Sequence, residues 1–139
     1  MRATAAAVVV VWLLVLSCYD FRHRRLPNVL TLPGAAVILI GAFCAGRGLG
    51  AAAGAAALAG LYLVVHLTAP AGMGAGDMKL AIGLGGLAGC FGVAVWFLAA
   101  LSAPLLTVLL ALLRRGGAVP HGPSMCLATA GAAGLALLG

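Results

Sequence analysis

Six long apolar runs divide the chain, separated by short polar or Gly/Pro-rich punctuation. They cover roughly residues 3–19, 29–45, 51–68, 78–92, 93–113 and 123–138. Runs near 20 apolar residues read as membrane-crossing helices. The pattern predicts an all-α fold, a polytopic transmembrane bundle of about six spans, with residues 1–139 forming a single integral-membrane domain. The break between the fourth and fifth runs is blurred by Gly83, Gly85, Gly86, Gly89 and Gly92, and the fourth is short for a crossing. Five spans with one re-entrant segment is the alternative.

Composition narrows the picture further. Hydrophobic residues make up 65% of the 139 positions and charged residues 7%, against about 45–50% and about 25% in soluble domains. A water-soluble globule is excluded, and so is a disordered chain, which would be poor in apolar residues. The net charge of +6 reports topology rather than nucleic-acid binding, because lysine and arginine concentrate on the cytoplasmic side of a membrane. Arg22, Arg24 and Arg25 follow the first run, Lys79 opens the fourth, and Arg114 and Arg115 follow the fifth; Arg2 and Arg47 fall on the other side. This alternation predicts an outside N-terminus, membrane lipid as a partner, and no nucleic acid. Arg2, the apolar run behind it and Leu16-Ser17-Cys18 imitate an export signal. Cleavage there would send the basic cluster Phe21-Arg22-His23-Arg24-Arg25 across the membrane, so the segment is expected to stay as the first helix.

Few side chains are equipped for chemistry. Cys18, Cys44, Cys90 and Cys126 occur singly, without a C-x-x-C pair for zinc, and read as packing residues. Cys44 and Cys90 could share the outer side and pair. His23 and His121 read as solvated loop residues and His66 as a hydrogen-bonded packing residue; three histidines so far apart define no metal site. Ser17, Ser102 and Ser124 lack histidine and aspartate partners at suggestive spacing. Gly50-Ala-Ala-Ala-Gly54 and Gly85-Gly-Leu-Ala-Gly89 have the small-xxx-small spacing that lets helix backbones approach closely.

The acids are the informative residues. The chain holds two aspartates, Asp20 and Asp77, and no glutamate. A carboxylate at the edge of hydrocarbon costs a few kcal/mol, so each needs a partner or a task. By the charge alternation both emerge on the same face, Asp20 in the first inner loop at the exit of span one and Asp77 in the second. Structural explanations exist for each: Asp77 could cap the start of span four, and Asp20 could pair with Arg22 or Arg24. Two carboxylates on one face can also share a proton and grip a water, one acting as base and the other as acid. The dipoles of their own helices lean toward Asp20 as the acid and Asp77 as the base, although a coupled pair titrates as a unit and leaves the assignment open. No metal or cofactor is required.

Asp20-Phe-Arg22-His-Arg24-Arg25-Leu26-Pro27-Asn28 resembles the first signature of the type IV prepilin leader peptidases, an aspartate and basic residues leading into a Leu-Pro-Asn turn. Gly74-Ala-Gly76-Asp77-Met78-Lys79-Leu80 is similar to their second, the GxGD motif. Pro120-His121-Gly122-Pro123 resembles a Pro-x-Gly-Pro stretch common in the same enzymes. The resemblance implies a membrane-embedded aspartic endopeptidase that removes the short basic leader of prepilin-like proteins at the cytoplasmic face of the cell membrane. It makes Asp20 and Asp77 the catalytic pair, with Gly74, Gly76, Lys79, Arg22, Pro27 and Asn28 shaping the site. Gly74 and Gly76 would let the backbone turn sharply beside Asp77, and Lys79 would anchor at headgroups or meet substrate. Longer members carry two C-x-x-C pairs in an N-terminal region linked to N-methylation. Their absence from this sequence implies the compact branch, which serves tight-adherence pili or, in archaea, flagellin-like precursors, and cleavage without methylation. The competing readings are a small proton-coupled transporter or channel subunit using the same acids, and a structural subunit of a pilus or secretion assembly.

Overall fold

A computed structural model describes residues 2–23, 28–68, 75–113 and 121–138, and these form six α-helices. In chain order they are α1 (Arg2–His23), α2 (Asn28–Cys44), α3 (Gly48–Thr68), α4 (Ala75–Gly89), α5 (Val93–Leu113) and α6 (Gly122–Leu138). The all-helical expectation holds, and most boundaries fall within a few residues of the apolar runs. Two differences bear on function. Helix α1 continues to His23, so Asp20 projects from a helix rather than a loop. Helix α4 begins at Ala75, so Asp77 lies in its first turn.

Length qualifies the six-span expectation. α1 (over Thr4–His23), α3 and α5 are long and apolar enough to cross a bilayer. The 17 residues of α2 and of α6 reach about 26 Å and the 15 of α4 about 22 Å, against about 30 Å of hydrocarbon. The outer surface is nonetheless that of a protein dissolved in lipid. Val8, Val11, Leu14, Val37, Ile40, Leu101, Leu105 and Leu112 are all exposed, far more apolar surface than a soluble monomer presents.

Helix α4 is the axis of the bundle and packs against α2, α3, α5 and α6, while α6 closes on α1 and α5. It fits because its residues are small: Ala81, Gly83, Gly85, Gly86 and Ala88 are buried, beside the fully enclosed Leu80 and Leu84. Against α3 the small-xxx-small stretches meet as the spacing predicts. A Cβ added at Gly85 would strike the Gly54 carbonyl, and one at Gly89 the Gly50 carbonyl; the reverse additions would strike the carbonyls of Gly85 and Gly89. The two helices run antiparallel with backbones in contact, a geometry that maximises dispersion where no hydrophobic effect drives association. Trp96 locks the seam by donating its indole N–H to the Gly54 carbonyl at 3.0 Å. On the far side of the bundle, Trp12 lies over Gly34 and donates to the Leu30 carbonyl at 2.8 Å, joining α1 to α2.

One end of the bundle is closed by tight turns. At the α2–α3 turn Gly46 has φ 78°, and the Arg47 and Gly46 N–H groups bond back to Ala42 and Phe43 at 2.8 and 3.2 Å, the Schellman arrangement that glycine favours. At the α4–α5 turn Gly92 has φ 109°. Arg47 reaches from the first turn to the Cys90 carbonyl in the second at 3.5 Å. Cys44 and Cys90 are both free thiols, so the pairing considered for them is not made. At the opposite end the last turn of α1 meets the start of α6, and the start of α4 meets the start of α2.

The glycine seam yields a stability prediction. Gly54→Val and Gly85→Val are expected to lower stability in detergent thermal melts by about 1–3 kcal/mol each, the usual cost of overpacking. Gly60→Ala, on the same helix with open space around it, should leave the melt unchanged or raise it. Equal behaviour of all three would refute backbone contact as the basis of the α3–α4 packing.

Candidate active site

Asp20 occupies the last turn of α1, facing inward with 4% of its surface exposed. Its Oδ2 accepts the backbone N–H of Gly122, the first residue of α6, at 3.0 Å. A Cβ at position 122 would collide with that carboxylate, so glycine is what allows the approach. The salt bridge considered for Asp20 is not the arrangement found for Arg22. Residues two apart on a helix diverge, and Arg22 is exposed where Asp20 is buried; Arg24 lies outside the described residues.

This contact also overturns the dipole argument. Taken with α1 alone, Asp20 sits at a helix C-terminus, where an anion is disfavoured. The structure places its carboxylate on the N-terminus of α6, where an unsatisfied N–H and the positive end of the dipole favour it. Asp77 lies in the first turn of α4, again at a helix N-terminus. Both acids therefore face favourable helix ends, and dipoles do not divide the roles of acid and base between them.

Asp77 is half-buried, and its surroundings follow from the glycine seam. The register that sets Gly50 against Gly89 and Gly54 against Gly85, carried about two turns further, sets Tyr62 of α3 across from Asp77. The carboxylate acts electrostatically on the Tyr62 hydroxyl. Both Asp20 and Asp77 act in the same way on the thiol of Cys126, a buried residue one turn into α6. The two acids thus lie at the same end of the bundle, Asp20 against the start of α6 and Asp77 in the first turn of α4.

The other expected site residues divide. Lys79 and Asn28 are brought together, the ammonium donating to the Asn28 Oδ1 at 2.8 Å and tying the start of α4 to the start of α2. Gly76 lies within the first turn of α4, and the described glycines with positive φ are Gly46 and Gly92. The sharp turn expected at Gly76 is therefore absent there, because α4 begins earlier than its apolar pattern implies. Gly74 and Pro27 lie outside the described residues.

His121 departs most from expectation. Far from being a solvated loop residue, it is half-buried and bonded through both ring nitrogens, Nε2 with the Tyr62 hydroxyl at 2.8 Å and Nδ1 with the Thr107 hydroxyl at 2.6 Å. Tyr62 and Thr107 escaped the sequence reading altogether, and Cys126 reads there only as a packing residue. The available signal was a hydroxyl within each of two predominantly apolar spans, a group that must find a partner when buried.

Chemically, the site offers two carboxylates, one held by a backbone N–H, bordered by a tyrosine hydroxyl and a neutral thiol. Among the described residues no group of three histidine, cysteine or acidic side chains is placed to hold a metal. No curated protein and no solved structure matches the chain. A family model, that of the type IV leader peptidase family, matches residues 7–113, from the first third of α1 to the last residue of α5 and including both aspartates. On this match over most of its length, the chain belongs to the type IV leader peptidase family, a family of membrane peptidases.

Proposed function

We propose that this protein is an aspartic endopeptidase that removes the short basic leader from prepilin-like precursors, with Asp20 and Asp77 as its catalytic pair. One observation carries the reading: the only two acidic side chains of the chain, far apart in sequence, lie at one end of a bundle of the leader peptidase family, Asp20 against the first N–H of α6 and Asp77 in the first turn of α4. In the proposed reaction the ionised carboxylate takes a proton from a water held between the pair as that water attacks the scissile carbonyl. The protonated carboxyl group donates to the carbonyl oxygen and then protonates the leaving amine. The proton taken from water stays with the pair, which is ready for a further cycle once the products leave.

Charge supports placing this end of the bundle at the cytoplasmic face. Among the described residues Arg22 and Lys79 belong to it, whereas Arg47 belongs to the other end. A proton relay would distribute its acids along a path between the two faces. Acids confined to one end favour hydrolysis over transport.

The full chain, reconstituted in liposomes with a prepilin-like precursor, is expected to release the leader as a mobility shift on a gel. Asp20→Asn and Asp77→Asn should each lower the rate by about 10²–10⁴-fold, the range lost with an acid or base catalyst, while circular dichroism keeps its helical signature. Processing that survives both substitutions together would eliminate the aspartic mechanism. Because the pair needs no ion, the rate in excess chelator should match the untreated rate, and a loss restored by one divalent metal would point to metal-assisted hydrolysis instead.

A further inference from the structure

Helix α6 begins in an unusual way. His121 is its N-cap, with its carbonyl accepting the Met125 N–H at 3.0 Å. An N-cap side chain ordinarily folds back onto the first free N–H groups of its own helix. Here the imidazole reaches away, to Tyr62 of α3 and Thr107 of α5. The free N–H of Gly122 goes to Asp20, and Pro123 has none to satisfy. The first turn of α6 is thus fixed from outside by three other helices. Both His121 and Gly122 lie beyond the stretch matched by the family model.

We propose that His121 is a positioning residue for Asp20: clamped between Tyr62 and Thr107, its neutral ring holds the first turn of α6 where the Gly122 N–H meets the Asp20 carboxylate. The inference rests on the reading of Asp20 as one of the catalytic pair. Proton accounting fixes the state of the ring. Thr107 donates its hydroxyl proton to the Ala103 carbonyl at 3.1 Å, so towards His121 it accepts, and Nδ1 carries the hydrogen. In the neutral ring Nε2 is then the acceptor, and the Tyr62 hydroxyl donates to it. The chain of donors runs from Tyr62 through His121 and Thr107 to a backbone carbonyl, with every proton placed.

Burial holds the His121 ring below its ordinary protonation range, which preserves this arrangement at neutral pH. In acid, a proton on Nε2 would set two donors against each other at the Tyr62 hydroxyl. Among the described residues the ionisable groups at this end include Tyr62 from α3, Asp77 of α4 acting on Tyr62, Asp20 of α1 across Gly122, and Cys126 on α6 itself; Thr107 of α5 does not titrate.

The test measures kcat and KM of the full chain in liposomes across pH for His121→Ala, His121→Gln and Tyr62→Phe. It also records the side-chain carboxyl carbon signals of ¹³C-labelled aspartate, of which there are two, told apart with Asp77→Asn. His121→Ala is expected to lower kcat by about tenfold with KM within about twofold, as displacement of a catalytic group does, and to move the Asp20 signal alone. His121→Gln keeps one donor and one acceptor, so it should return kcat to within about threefold of wild type and abolish the acid-side fall that the histidine contributes. Tyr62→Phe deletes one hydroxyl without a cavity and should move the Asp20 signal in the same direction, which keeps the question open to decision if His121→Ala fails to fold. Wild-type kcat together with an unmoved Asp20 signal in His121→Ala and Tyr62→Phe would overturn the inference. Should processing persist without either aspartate, the aspartic reading fails on its own, and the Asp20 signal, recorded without turnover, still decides whether His121 positions that carboxylate.

Discussion

A buried carboxylate against the first N–H of a neighbouring helix is the constraint on which the rest of this structure turns. Asp20 sits at 4% exposure at the end of α1, where its own helix offers only unsatisfied carbonyls. An ion so placed is costly unless donors reach it. The Gly122 N–H and the positive end of α6 supply what α1 cannot. The contact ties the first helix to the last and requires glycine at position 122. It also makes the placement of α6 a condition for the state of Asp20. A residue that steers the entry of α6 therefore acts on the acid without touching it.

The helix that carries the second acid is placed by packing. The glycines of α3 and α4 bring two backbones together in a fixed register. Because helices at that separation cannot slide without collision, the register persists to the far end, where Tyr62 and Asp77 stand across from each other. Side chains carried on rigid elements are held more closely than those on loops. Here the rigid element is a seam of residues that carry no chemistry at all. Trp96, bonded to the Gly54 carbonyl, fastens it from the α5 side.

The sequence made much of this legible. The apolar runs marked all six helices, the scarcity of acids singled out Asp20 and Asp77, and the spacing of glycines identified the stretches that meet. What escaped it was pairwise. Lys79 and Asn28 were each singled out, yet nothing in the chain says that they bond across 51 positions. His121, flanked by Pro120, Gly122 and Pro123, reads as a turn residue. Its burial depends on hydroxyls from α3 and α5 that the local pattern does not contain. The dipole argument for Asp20 failed for the same reason: it weighed the helix that carries the acid and could not see the helix that faces it. Helix ends were misplaced by a few residues at α1 and α4 because polar residues at a helix terminus break the apolar run without breaking the helix.

The shortness of α4, a difficulty if it is treated as a bilayer span, makes sense at the site. The register pairs Gly50 near the start of α3 with Gly89 at the end of α4, so the two helices finish almost flush at the closed end. Most of the difference in length then falls at the other end. Ala75 stands opposite Val64, and α3 runs on to Thr68, about one turn or 6 Å further. Asp77 is therefore recessed behind the end of its neighbour. A carboxylate in that position is half-buried, which strengthens its interaction with nearby groups over that of a fully solvated acid. A full-length α4 would carry Asp77 out past α3 towards solvent, and a bulkier one could not occupy the centre of the bundle. Small residues and a short helix are thus two parts of one solution, bringing an acid into the protein from its end without opening the seam that holds it.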